Sequence, residues 1–317
     1  MANTTKDLQI NTMKTLTFGC EVELKGLDRE RCARIIAAEL GGTAHPVGGY
    51  YGKWMVRLAD GREWTTMTDG SLGGLASEVV SPICKWEDLE DVQRVVRALR
   101  RAGGRVDSQC GLHVHVGAAP FDAAALGRLA RWVYSQEAIL VAGLDAASRV
   151  YQGRYCAPVD QAFINNLPRR PASRDSLAAA WYGGRESSYA RSQHYHSSRY
   201  HGLNLHSVFF RGTVEFRYFA GTLHAGKVKA SIQLCLAMAA KALTSRSAVT
   251  RRRDAATTSN GNLRYAMRVV MIRLGMIGPE FKTARLLFTR GLPGNGSTAG
   301  TGRTRAARPA ATGEVAA

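Results

Sequence analysis

Acids, imidazoles and an arginine recur in this chain at every second position. Glu21 and Glu23 lie two apart in TFGCEVEL, His113 and His115 in CGLHVHVG, and Glu215 and Arg217 in GTVEFRYFAG. Side chains of an extended strand alternate between faces, so each pair shares one face. The opposite faces carry Leu16, Phe18, Cys20, Val22 and Leu24, then Leu112, Val114 and Val116, then Val214, Phe216 and Tyr218. A fourth segment, ASEVVSP, offers Glu78 among small and β-branched residues. Any one of these segments is explained by a half-buried strand with a solvated side. Together they supply only acids, imidazoles and a guanidinium, where a solvated face would mix Lys, Thr, Ser and Gln. If they are neighbours in one sheet, the crowded carboxylates cannot all stay ionised without a counter-charge, and a divalent cation is the usual one. Carboxylate oxygens with one or two imidazoles suit Mg²⁺ or Mn²⁺. Two histidines at this spacing could also hold zinc for hydrolysis, although no cysteine spacing suggests a closed zinc site.

The elements that must position these groups are legible around them. Asp28 predicts an N-cap for a helix to Leu40 that ends at Gly41-Gly42. A helix over Trp86 to Ala102 has its acids first, its arginines last and a stripe of Leu89, Val92, Val95, Val96 and Leu99. Further helices are expected over Asp122 to Leu144 and Ala225 to Leu243, and short amphipathic ones over Leu263 to Leu274 and Pro279 to Leu287. The Ser-, Arg- and aromatic-rich stretch Arg169 to Ser198 is expected to be mostly a long loop with one short helix. Alternating strands between helices predict an α+β protein with an antiparallel sheet backed by helices.

The chain has 317 residues, 45% hydrophobic and 21% charged, which excludes collagen-like, mucin-like and wholly disordered classes. The six cysteines form no CxxC pair and are expected to be reduced, packed thiols. No secretory h-region opens the sequence, and the longest apolar run, Ser231 to Leu243, is too short for a bilayer, so a soluble cytoplasmic protein is expected. The net charge of +18 divides into +8 over residues 1–243 and +10 over residues 244–317. This is a mildly basic body, suited to a phosphate-bearing or acidic ligand, with a basic appendage. Arg251, Arg252 and Arg253 are expected in a solvated linker, and Gly291 to Ala317 in a disordered tail.

The ordered set TFGCEVEL, SEVVSP, CGLHVHVG, RYHGLNL and GTVEFRYFAG resembles the amidoligase family, carboxylate-amine ligases related to glutamine synthetase and glutamate-cysteine ligase. The resemblance spans about Thr17 to Leu243. It implies a curved antiparallel sheet whose concave face holds Mg²⁺ and ATP, with an acyl phosphate attacked by an amine. It implies a catalytic domain over 1–243, with 244–290 left as a basic linker and helical extension and 291–317 as tail. Glu21, His113 and Glu215 would ligate one metal, Glu23 and Glu78 a second. Arg217 would contact the transferring phosphoryl group and His115 would face the nucleotide or acyl phosphate. Asp69, in TDGSL, would face the substrate, or else form an Asp-Gly turn. Arg199 and Asn204 would bind acyl substrate or phosphate, or simply position a turn. No GxxxxGK[ST] loop occurs, and this chemistry needs none.

Cys110 could pair with His113 as a nucleophile, but is expected to be a packed thiol. His194, His196, His201 and His206, with their tyrosines, are expected in a solvated loop rather than a metal cluster or lid. Three functions follow as expectations: an ATP- and Mg²⁺-dependent ligase joining a carboxylate-bearing amino acid, peptide or protein to an amine; a metal-dependent amide or phosphate hydrolase using His113 and His115; or a non-catalytic polyanion-binding module acting through the tail. Contact with a membrane is not expected, nor with nucleic acid except through that tail.

Overall fold

The computed structural model of this chain describes residues 5–70, 72–73, 75–184, 188–247, 249, 251–255 and 257–297. Its centre is strand β1 (Phe18–Lys25), flanked by β5 (Ala76–Val80) and β6 (Gly111–Gly117). The sheet extends through β4 (Glu63–Met67), β3 (Lys53–Arg57) and β2 (Thr43–Gly48) on one side. On the other side come β8 (Thr213–Ala220) and the short edge strand β7 (Leu203–Asn204). The order β2-β3-β4-β5-β1-β6-β8-β7 is antiparallel throughout and does not close.

The apolar face of the sheet is buried as the alternation predicts: Phe18, Cys20, Val22, Leu24, Leu112, Val114, Val116, Val214 and Phe216 are all within 2% of fully covered. Helix α2 (Arg29–Leu40) backs β2 to β5, while α10 (Ala225–Thr244) packs on β1 and β6 and against α3 (Leu89–Arg101) and α4 (Ala123–Gly143). Their ends follow local chemistry. The Asp28 side chain accepts from Arg31 N and Gly41 closes α2 at φ 75°, a conformation that a side chain would strain. Asp122 accepts from Ala125 N at 2.6 Å to start α4. Acids open α3 and Arg100 and Arg101 end it, matching the helix dipole.

The sequence reading misses α1 (Thr5–Thr15), whose few apolar residues form no continuous stripe, and the β2–β3 hairpin. Between α4 and β8 lie short helices: α5 (Ala147–Tyr151), α6 (Gln161–Asn166), α7 (Arg174–Trp181), α8 (Ser188–Ser192) and α9 (His206–Phe210). Among the described residues the stretch 169–198 thus holds two α-helices, α7 and α8, rather than the expected one, and runs into a 3-10 turn from Ser197. After α10, α11 (Leu263–Arg273) and α12 (Lys282–Thr289) form close to the expected positions. Met267, Val270 and Met271 of α11, Phe288 of α12 and Phe281 just before α12 join the same hydrophobic core as the sheet. The tail from 298 lies outside the described residues. Among the described residues no helix is long and apolar enough to cross a membrane.

Strand β8 departs from strict alternation. Val114 faces Phe216 but Leu112 faces Phe219, so a bulge opposite His113 inserts one extra residue. Phe219, not Tyr218, therefore continues the row across from Leu112. The Tyr218 hydroxyl instead donates to Glu137 Oε1 on α4 at 2.7 Å, and its ring presses against Gly202. A Cβ on Gly202 would stand 2.2 Å from Tyr218 Cε1, while Gly202 O accepts from Arg217 N at 2.8 Å. Gly202→Ala is expected to lower unfolding free energy by about 2 kcal/mol through overpacking, measured by urea denaturation.

Candidate active site

Sheet register brings the alternating acids and imidazoles together. Glu23 lies opposite Glu78, Glu21 opposite His113, and His115 opposite Glu215. His113 Nδ1 is 3.2 Å from Glu21 Oε2 and its Nε2 is 3.7 Å from Glu23 Oε1. His115 Nε2 is 3.3 Å from Glu21 Oε1, outside hydrogen-bond alignment, and its Nδ1 meets Thr213 Oγ1 at 3.0 Å. Glu215 accepts from Asn204 Nδ2 at 2.7 Å and from Arg217 Nη1. Glu21, Glu23, His113, His115, Asn204, Glu215 and Arg217 are all buried. Ionised groups are rarely buried without partners, so this is not the solvated side of an ordinary sheet.

The partners come from scattered places. Gly111 N donates to Glu23 Oε2 at 2.5 Å. Arg211 Nη1 donates to Glu21 Oε1 at 3.1 Å, and Arg149 Nη2 lies 3.4 Å from His113 Nε2. A Cβ at Gly111 would sit 2.5 Å from Arg149 Nη2 and 2.9 Å from His113 Nε2, which explains the glycine. Arg149 and Arg211 carried no sequence signal: one sits on a short helix without a motif, the other in the turn before β8. Only folding places them.

Burial raises the Glu21 carboxyl, but His115 and the hydrogen-bonded His113 outweigh it and hold it well below the ordinary carboxylate range. Glu215 similarly resists burial and falls to about 2 through His115 and Arg217. For Glu78 every influence runs the other way: burial, then the charges of Glu21, Glu23 and Asp69, push it well above the normal range. Burial would lower His115, but Glu21 and Glu215 raise it. Protein groups therefore compensate Glu21 and Glu215, while Glu78 faces three carboxylates. The donor set fits divalent cations. Glu21, His113 and Glu215 offer ligand atoms within 4.8 Å of one another, as do Glu23, Glu78 and His113. His113 belongs to both groups, and among the described residues His115 belongs to neither. That grouping disfavours a hydrolase built on His113 and His115 as principal ligands.

The other residues singled out from sequence fall at different distances. Asn204 is in the cluster. Asp69, in the loop between β4 and β5, acts electrostatically on Glu78. Arg199 donates to His194 O at 3.0 Å and sets its guanidinium over Tyr195 and Tyr200; none of these contacts is with a carboxylate of the cluster. The histidine-rich segment is solvated only in part: Tyr189 and Tyr195 are exposed, but His206 is buried and bonds Tyr182 Oη and Gln193 O, and rings of His194, Phe210 and His206 stack. His194 Nε2 meets Arg211 Nη2 at 2.9 Å, and Tyr195 Oη reaches Tyr51 Oη at 2.6 Å. The segment thus spans from above Glu21 to the β2–β3 turn. Cys110 is a buried thiol raised by that burial, and all six cysteines are free and buried.

Fold and cluster together define an α+β protein whose antiparallel sheet bears a buried acid, imidazole and guanidinium site on one face. Residues 14–239 match the family model described as "Putative amidoligase enzyme", and the chain belongs to that family. No curated protein matches the chain. A solved structure titled as a bifunctional glutathione synthetase from Pasteurella multocida is similar over 90% of this chain and 49% of that one, at 13% identity and a TM-score of 0.46. This chain thus spans about half the length of that one.

Removing one member of a buried ion pair strands the other. Arg217→Met, which leaves Glu215 with Asn204, is expected to cost about 3 kcal/mol in urea denaturation with EDTA present, and adding Glu215→Leu should restore most of that loss. Glu21→Gln is expected to weaken Mn²⁺ binding by at least about tenfold in an electron paramagnetic resonance titration.

Proposed function

We propose that this protein is a cytoplasmic, ATP- and Mg²⁺-dependent carboxylate-amine ligase that forms an amide or peptide bond through an acyl phosphate. The observation that carries the reading is the gathering of Glu21, Glu23, Glu78, His113 and Glu215, with Arg217, on one face of the sheet, where all but the half-buried Glu78 are buried. A carboxylate does not react with an amine until its oxygen is made a leaving group. Phosphoryl transfer from ATP does this and releases ADP; the amine then adds to the acyl carbon, loses a proton and expels phosphate. The sheet is read as the curved, glutamine-synthetase-like kind, with 1–243 as the catalytic unit, 244–290 as an extension and 291–317 as tail.

Mg²⁺ or Mn²⁺ held by Glu21, His113 and Glu215, and by Glu23 and Glu78, would supply the positive charge that offsets phosphate oxygens. The chain's own groups do the rest. Arg217 is fixed by Glu215 and by Tyr155 O, 3.3 Å from its Nε, so its charge is already oriented toward a transferring phosphoryl group. His115, pinned by Thr213 and lying between Glu21 and Glu215, orients the nucleotide or acyl phosphate. Asp69, Arg199 and Asn204 are assigned to the acyl substrate, with Arg199 and Asn204 also able to meet phosphate. A carboxylate of the cluster, or phosphate itself, takes the amine proton. The Tyr51–Tyr195 contact keeps the aromatic segment over the acids, where exclusion of water protects an acyl phosphate from hydrolysis.

The acyl donor is a carboxylate-bearing amino acid, peptide or protein side chain, paired with an amine donor. A nucleotide-consumption screen across carboxylate and amine pairs tests the reading. ADP release is expected only when both substrates are present, and EDTA should abolish it. Glu23→Gln and Glu215→Gln should each lower turnover by about 100-fold or more. Wild-type rates in both variants, or bond hydrolysis without nucleotide, would overturn it.

A further inference from the structure

A second site lies on the helical side of the sheet, away from the acid cluster. A cleft of about 980 Å³ opens between α1, α4, α10, α11 and the segment that follows α10. Its described lining carries seven cationic side chains, among them Lys6, Arg128, Lys241, Arg252, Arg253 and Arg273, against one acid, Asp254. Trp132, Ala242 and Val270 supply apolar wall, and Ser245, Thr257 and Thr258 supply hydroxyls. Much of this lining falls after residue 239, beyond the family match.

The segment expected to be a solvated linker instead builds the cleft. Arg253 N donates to Ser135 O at 3.0 Å and its Nη1 to Gln136 Oε1 at 3.1 Å, so the arginine run is docked on α4. Arg252 stacks over the Tyr134 ring at 5.0 Å, and Arg128 Nε donates to Ala242 O at 2.9 Å. Arg128 and Arg253 are thus held by neutral groups, while Arg252 also lies 3.9 Å from Glu137 Oε2 and Asp254 shares the lining, so two acids face seven cations and most of the positive charge stays uncompensated. Burial and the nearby Arg273 both disfavour the charged form of Arg253. Packing like charges around one hollow is unfavourable unless an anion shares it.

We propose that this cleft binds a compact organic polyphosphate, a molecule with two or more phosphate groups on an apolar body. Guanidinium forks and lysine match phosphate oxygens, and several cations around one hollow suit a multivalent anion better than a single carboxylate. The volume lies in the range of small-molecule sites rather than an open track for a polymer. The apolar wall gives the body of the ligand somewhere to rest. This proposal is independent of the ligase reading.

The test titrates inorganic tripolyphosphate into the full chain by calorimetry with EDTA present, where an acid cluster without cations repels the probe. Saturable one-to-one binding is expected. Lys241→Gln combined with Arg273→Gln should weaken it by at least about tenfold, as expected for two lost charge-assisted contacts. Lys6→Gln, exposed and remote from the core, should weaken it severalfold without altering the melting temperature. Arg97→Gln, on the exposed side of α3, should leave it unchanged. Absent or unsaturable binding, equal affinity in the cleft variants, equal weakening by Arg97→Gln, or binding of oligo-dT but not of tripolyphosphate would each overturn the proposal.

Discussion

Four glutamates on one covered face of a sheet are the constraint to which much of this structure responds. Desolvating a carboxylate costs several kcal/mol unless partners recover it. Glu21, Glu23 and Glu215 recover it through Arg211, the Gly111 amide, Asn204 and Arg217. Those partners lie far apart in sequence and meet only when β1, β6 and β8 pair in register. Glu78 stands apart from this compensation. Its neighbours Glu21, Glu23 and Asp69 are all acidic, so the negative charge of the cluster is least compensated at this end.

The bulge in β8 links this site to the helices behind it. By adding a residue opposite His113, it lets two consecutive side chains serve the interior in different ways. Arg217 turns to Glu215, while Tyr218 reaches Glu137 on α4. A perfectly alternating strand would have kept Tyr218 in the row facing Leu112.

The two-residue period explains which parts were legible in the sequence. Glu21, Glu23, Glu78, His113, His115 and Glu215 could be assigned to one face because strand alternation is local physics, and register then brought the faces together. The caps at Asp28 and Asp122 and the dipole-matched ends of α3 were legible for the same reason. Arg149 and Arg211 were not, because what makes them site residues is a tertiary approach with no spacing signature. The bulge was equally hidden: β8 reads as regular in one dimension, and only pairing with β6 exposes the extra residue. Arg251 to Arg253 looked like a solvated run because charge runs usually are, yet Ser135 and Gln136 give Arg253 a docking place that sequence cannot display.

Glu137 joins the two halves of the molecule. It is fully buried on α4, and its Oε1 accepts from both Val159 N and Tyr218 Oη. Among the described residues its Oε2 has no hydrogen-bond donor, and the Arg252 guanidinium of the basic cleft lies 3.9 Å away. Burial raises this carboxyl, opposed by Val159, Tyr218 and Arg252. The charge of Arg252 is therefore partly engaged from the protein side, whereas among the described residues no carboxylate pairs with Lys241 or Arg273. A substitution at Glu137 or Arg252 would disturb the anchor of β8 as well as the cleft. Charge removed at Lys241 or Arg273 changes the cleft and leaves the Tyr218 anchor, and with it the position of Arg217, intact.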